Sequence, residues 1–284
     1  MLNVQEALNQ SNDLLSKAGI ETARLDARLL IEHALGLSPH ESTLKSERLL
    51  RAEEYERLQV LMARRAKREP LAYIVAEREF WSLSFKVSPA TLVPRPDSET
   101  VIETALANIP DRDTALTVLD LGTGSGCLLL SLLHELPGAT GVGVDRCPEA
   151  LKIASENAKQ LSLSERASFV CADWSNGLSA SFDIILCNPP YISYEDLETL
   201  MPEVLNYEPR HALSGGSDGL ESYRAVASLI SDMLHVNGKI IFEIGMSQAA
   251  DVSKILIENG LQVIDNKKDL LGRPRCIVAQ SSRS

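Results

Sequence analysis

From about residue 115 onward, short apolar runs alternate with segments whose apolar positions recur every three or four residues. The runs read as strands at 117–121, 140–144, 167–171, 182–187, 239–244, 262–266 and 275–279. Between them, 127–135, 148–159, 220–234 and 248–258 read as helices. Strand–helix alternation of this kind predicts a mostly parallel seven-stranded sheet covered on both faces, an α/β domain. No internal repeat or low-complexity segment interrupts it.

Before that point the pattern is helical only. Val4, Ala7, Leu8, Leu14, Leu15 and Ala18 recur at helical spacing and Gly19 stops the run. A second helix from about Thr22 places Leu25, Leu29, Leu30 and Ala34 on one face and ends at Gly36. Ser38-Pro39 reads as an N-cap with proline at the first helical position. The charged segment 47–68 carries Leu50, Leu58, Leu61 and Met62 as its buried stripe. Residues 1–70 are therefore expected to form a small all-helical domain whose role is recognition. In 71–96 the alternation around Phe80-Trp81 and Phe85 predicts a hairpin. Pro94 and Pro96 stiffen the end of this stretch, which is expected to link the domains. The third part, 97–284, opens with a helix capped by Asp97 or Ser98.

Composition narrows the class. The 284 residues carry a net charge of −11, so a long phosphate backbone is a poor default partner. The local exception is Arg64-Arg65-Ala66-Lys67-Arg68, either a solvated helix end or a dock for an acidic or RNA-bound partner. The N-terminal stretch resembles neither a signal nor a transit peptide, and no apolar run reaches membrane-span length. Five cysteines without C-x-x-C spacing read as reduced, mostly buried thiols of a cytoplasmic protein, with no metal site.

The chemistry collects at strand ends. After 182–187 comes Asn188-Pro189-Pro190-Tyr191. Proline holds the preceding residue extended and has no N–H. The corner thus offers acceptors, the Asn188 side-chain oxygen and the Pro189 carbonyl, with the flat Tyr191 ring beside them. Such a corner suits a planar NH2 group, although Asn-Pro also marks ordinary turns. After 117–121 comes Gly122-Thr123-Gly124-Ser125-Gly126 at a helix start, where backbone can approach a ligand closely. Asp145 ends the next strand, 19 residues beyond Gly126, placed to accept from ribose hydroxyls. Asp173-Trp174 ends the third, with an aromatic wall for a purine. Cys127 replaces the third glycine of a dinucleotide fingerprint. The preceding Asp120 disfavours a pyrophosphate and suits a cationic amino-acid group such as that of S-adenosylmethionine.

Asp120–Gly126 with Asn188–Tyr191 resembles the class I, Rossmann-like methyltransferases that use S-adenosylmethionine and act on planar nitrogens. Glu79-Phe80-Trp81, Val93–Glu99, Pro209–Leu213, Gly215–Leu220, Glu243-Ile244-Gly245 and Asp269–Arg275 narrow the resemblance to the HemK-type release-factor glutamine methyltransferases. The resemblance covers nearly the whole chain. It implies transfer of a methyl group to the side-chain N5 of the glutamine in the Gly-Gly-Gln motif of peptide chain release factors. It also implies cofactor contacts at Gly122–Gly126, Asp145, Trp174 and Asn188, with Asn188–Tyr191 as the catalytic, substrate-holding motif. The partner is then a release factor rather than nucleic acid or membrane, and the chain is expected to act as a monomer. Two departures stand out: Ala76 and Ser82 occupy places where that family favours glycine. The rival reading is an adenine-N6 or cytosine-N4 nucleic-acid methyltransferase, whose exocyclic amine presents the same planar NH2. A non-catalytic module that docks on the translation machinery is the third.

Overall fold

The computed structural model describes residues 2–269 and 271–281. Backbone proximity divides the chain into two compact units. The first comprises the residues up to Ala76 together with Met201–Tyr207. The second comprises Glu77–Leu200 and the residues from Glu208 on.

In the first unit, α1 (Val4–Lys17), α2 (Ala23–Leu35), α3 (Pro39–Leu44), α4 (Ala52–Ala66) and α5 (Leu71–Val75) enclose an apolar core. Sequence-local signals set the helix starts. Asn3 and Glu6 form a reciprocal capping box on α1, and Ser38 and Glu41 form another on α3. The inward face of α2 differs from the apolar expectation. Leu25 is exposed and Leu29 half-buried, while Asp26 is buried with Ala23, Ala27, Leu30 and Ile31. The cause is an ion pair, since Arg65 Nε on α4 meets Asp26 Oδ2 at 2.7 Å. Leu14 is likewise exposed on α1. The basic cluster is not a free patch either. Arg65 and Arg68 both pair with Glu203, Arg64 pairs with Glu69, and Arg68 also donates to the Gly19 carbonyl.

The second unit begins with an antiparallel hairpin, β1 (Glu77–Phe80) and β2 (Leu83–Lys86), whose Phe80 and Phe85 enter the core beneath the sheet. A 3-10 turn (Pro96–Ser98) leads into α6 (Glu99–Ala107). There follow β3 (Thr117–Leu121), α7 (Cys127–Glu135), β4 (Thr140–Asp145), α8 (Pro148–Gln160), β5 (Ala167–Cys171) and β6 (Phe182–Cys187). Two short helices come next, α9 (Tyr194–Leu197) and, belonging to the first unit, α10 (Pro202–Tyr207). Then come α11 (Glu221–Ile230), β7 (Leu234–Glu243), α12 (Ala249–Glu258), β8 (Leu261–Lys268) and β9 (Pro274–Ser281).

Among the described residues seven strands form one sheet in the order β5-β4-β3-β6-β7-β9-β8. It is parallel except where β9 pairs with β7 and β8. Helices α6 and α7 cover one face and α11 and α12 the other, which is why the central strands are almost wholly apolar. The chain moves outward from β3 through β4 to β5, then returns to place β6 on the other side of β3. Such a reversal opens a crevice at the carboxyl ends of the two central strands. Leu121 lies level with Cys187 and Val144, and Cys187 with Phe242, so the segments after β3, β4, β6 and β7 emerge together.

Candidate active site

A cleft of about 380 Å³ occupies that crevice. Gly122, Thr123, Gly124 and Ser125 line it from the β3 end, with Asp145 and Arg146 from β4. Ala172, Asp173 and Trp174 follow β5, and Asn188 and Pro190 follow β6. Gly126, Pro189 and Tyr191 do not line it. Gly126 adopts φ of 80° as the N-cap of α7, and a β-carbon there would press on Leu130 and Ala154 at 3.1 and 3.2 Å. Its role is close helix packing. Pro189 is buried, and Tyr191 packs against the α11–α12 core with its hydroxyl donating to Glu243 Oε1 at 3.3 Å.

The glycine loop is anchored from two sides. Gly122 and Thr123 N–H both donate to the Val144 carbonyl at 2.9 Å, drawing the loop over β4. Asn157 on α8, fully buried, donates to the Ser125 carbonyl at 2.8 Å while exchanging hydrogen bonds with the Lys86 backbone. Asp145 accepts from Gly124 N–H and Cys147 N–H, both at 2.9 Å, so its carboxylate is fixed at the cleft wall. Trp174 is held at φ of 52°, a left-handed conformation that turns its side chain into the cleft.

Two buried carboxyls lie beneath. Asp120 is 1% exposed; burial pushes its pKa up to about 7, against the opposing hydrogen bond from the Thr123 hydroxyl at 2.6 Å. Its Oδ1 has no hydrogen-bond partner, and neither has the buried Ser125 Oγ. Glu243, at the end of β7, is also raised by burial, with Ser98, Arg275 and Tyr191 acting in the opposite direction. Burial likewise raises Tyr191 well above its usual range, so its phenol is a hydrogen-bond donor, not a base.

Sequence reasoning missed the opposite wall. Thr91, Leu92, Pro94, Arg95 and Ser98 line it before α6; His211, Ala212 and Ser214 follow from the 3-10 turn Arg210–Ala212, and Glu221 and Ser222 open α11. Arg95 pairs with the buried Glu208, and Glu99 accepts the Trp81 N–H at 2.9 Å. Ser98 does not cap α6 with its side chain; its hydroxyl accepts from Asn188 Nδ2 at 3.3 Å. The cysteines also differ from expectation: Cys187 and Cys276 are buried, Cys127 and Cys147 half-buried, and Cys171 exposed, all with free thiols.

An open parallel sheet with a glycine loop, a carboxylate and an aromatic wall at successive strand ends defines a nucleoside-binding methyltransferase of the α/β type. Two family models match: PrmC N-terminal domain over residues 6–75 and Methyltransferase domain over residues 112–258. The chain is 44% identical over 266 residues to the release factor glutamine methyltransferase of Rhodospirillum rubrum, covering 94% of this chain and 81% of that one. It is 40% identical over 278 residues to the namesake of Caulobacter vibrioides, covering 98% and 96%. Among solved structures, a methyltransferase from Pyrococcus furiosus shares the fold with a TM-score of 0.53 at 16% identity, covering 76% of this chain and 97% of that one. The chain belongs to the release factor glutamine methyltransferase family.

Proposed function

We propose that this chain transfers a methyl group from S-adenosylmethionine to the side-chain N5 of the glutamine in the Gly-Gly-Gln motif of a peptide chain release factor. The observation that carries the reading is the Asn188 corner: an amide acceptor and a proline carbonyl, at the end of β6, beside a cleft built for a nucleoside. The cofactor fits the residues present. Trp174, Ala172 and Leu128 give an apolar wall, Asp145 a carboxylate at the cleft edge, and Ser125 Oγ an unsatisfied polar atom. Asp120 below the loop adds latent negative charge on the side suited to an ammonium group. When bound, S-adenosylmethionine supplies a methyl group on a cationic sulfur.

An amide nitrogen is a weak nucleophile because its lone pair is shared with the carbonyl, so placement dominates. Asn188 Oδ1 and the Pro189 carbonyl accept the two N–H hydrogens of the glutamine amide and fix its plane. Holding reacting groups in line supplies ~7–11 kcal/mol of such a barrier. The same two acceptors stabilise positive charge as it develops on nitrogen. Once methylated, the nitrogen is acidic and releases one proton without a strong base, so no histidine is assigned that task. The ring of Tyr191, held by Glu243, braces the corner from behind.

The helical unit is assigned recognition of the release factor away from the methylated loop. The chain is read as a monomer acting in the cytoplasm. No helix among the described residues is long and apolar enough to cross a membrane. The experiment is transfer of labelled methyl from S-adenosylmethionine to one of three acceptors: a release factor, its Gly-Gly-Gln→Gly-Gly-Ala variant, or duplex DNA. Label on the first alone is expected. Label on DNA, or equal label on the Ala variant, would overturn the reading.

A further inference from the structure

The orientation of the Asn188 amide is imposed by a serine and a buried carboxylate that lie outside the Asn-Pro-Pro-Tyr motif. An asparagine side chain is nearly symmetric in shape, and rotating it by half a turn would exchange its acceptor for a donor. Presenting Nδ2 to a substrate NH2 would set donor against donor. Something must break the symmetry, and two contacts in the structure do. Asn188 Nδ2 donates to Ser98 Oγ at 3.3 Å, which leaves Oδ1 for the cleft. Ser98 is 3% exposed, so water does not compete for its hydroxyl.

A hydroxyl can donate or accept, so Ser98 alone does not fix the direction. Glu243 does. It is 1% exposed at the end of β7, one residue past Phe242, which lies level with Cys187. Its main-chain oxygen accepts the Tyr223 hydroxyl at 2.9 Å and its Oε1 accepts the Tyr191 hydroxyl at 3.3 Å. Its Oε2 has no partner at hydrogen-bond distance, an orphaned acceptor in a buried site. The Ser98 hydroxyl is the group that acts on this carboxyl most strongly after burial itself. We propose that Ser98 and Glu243 are positioning residues: Glu243 draws the Ser98 hydrogen toward itself, so Ser98 Oγ can only accept from Asn188, and Asn188 Oδ1 is thereby committed to the substrate amide. The same carboxyl holds Tyr191, so one group behind the cleft aligns both side chains of the motif. The proposal rests on the glutamine reading for what Oδ1 receives, but not for how Asn188 is held.

The test uses full-length Ser98→Ala, Ser98→Thr and Glu243→Gln variants. In Ser98→Ala, kcat with the release factor is expected to fall about 10- to 100-fold while the dissociation constant of S-adenosylmethionine stays within about twofold. Ser98→Thr keeps the hydroxyl and is expected to recover most of the rate. Glu243→Gln is nearly isosteric but supplies a donor that reverses the relay, so it is expected to lower kcat similarly, and the double variant to be no worse than the poorer single. Independent of any acceptor, the Asn188 side-chain NH2 resonances in labelled protein are expected to shift and exchange faster with solvent in Ser98→Ala and to return in Ser98→Thr. Unchanged Asn188 resonances, or an unchanged kcat, would overturn the relay. If Ser98→Ala does not fold, Glu243→Gln carries both readouts. A wild-type protein that leaves the release factor unmethylated would count against the proposed function alone, because the resonance test needs no substrate.

Discussion

At the scale of single residues, Asn188 does the work that no other group in the cleft can share. Replacing Asn188 by Ala removes one acceptor for the substrate amide but leaves the glycine loop, Asp145 and Trp174 in place. We expect kcat to fall by about two orders of magnitude or more and cofactor affinity to change by about twofold or less, measured by steady-state kinetics beside calorimetry. Equal losses in both would contradict a positioning role. Asp120 has a different consequence, one for stability. Its carboxyl is raised from 3.8 to about 7 by burial, so the folded protein holds a proton there that the unfolded chain has lost. That contribution to stability is complete below about pH 4 and disappears as pH rises through about 7. The unfolding free energy of Asp120→Asn minus that of the cofactor-free wild type should therefore grow between pH 5 and pH 8, by on the order of 1–3 kcal/mol. A difference independent of pH would show that Asp120 is ionised in the folded state. From the sequence, Asp120 reads only as a charge suited to an ammonium group; its buried, proton-holding state depends on neighbours that no linear pattern records.

At the scale of elements, periodicity serves long segments well and short or polar ones poorly. The central strands and α7, α8 and α12 follow from apolar runs and helical spacing. The expected helix through 234 instead stops at Ile230, and β7 already begins at Leu234, with a left-handed Asn237 beside Gly238. The short α5, α9 and α10 have too few turns to show a stripe. On α2 the pattern points to Leu25 because a charged Asp26 reads as surface, whereas Arg65 pairs with it inside. Half the cleft wall, including His211, Ser214 and Ser98, comes from such non-periodic segments, so it is not legible in the sequence. The glycine departures are informative for a physical reason. Ala76 sits at φ of 60° and Ser82 at 56°, both left-handed, which L-residues adopt at a cost. Ala76→Gly and Ser82→Gly should each stabilise the protein by about 0.5–1 kcal/mol in denaturant unfolding, since part of the relief is offset by chain entropy. Asn157 has the opposite sensitivity. Asn157→Ala strips the Ser125 and Lys86 carbonyls and the Lys86 N–H of partners, and should cost about 2–4 kcal/mol and weaken cofactor binding. Preserved affinity in that variant would show that the loop needs no anchor on α8.

At the scale of the molecule, chemistry and recognition are divided between two compact units. The second unit contains the whole cleft, while the first has a closed apolar core and a basic cluster largely consumed by its own ion pairs. This division of labour implies that a Gly-Gly-Gln peptide is methylated with a kcat/KM at least about tenfold below that of the intact release factor, since contacts remote from the reacting group contribute binding. Equal values would remove the helical unit from recognition. The most direct test of the central claim is to locate the transferred methyl group by fragmentation mass spectrometry on a release factor treated with this protein and S-adenosylmethionine. A single methyl on the side-chain nitrogen of the Gly-Gly-Gln glutamine is expected, absent with Asn188→Ala. A methyl on the backbone, on another residue, or only on nucleic acid would contradict it.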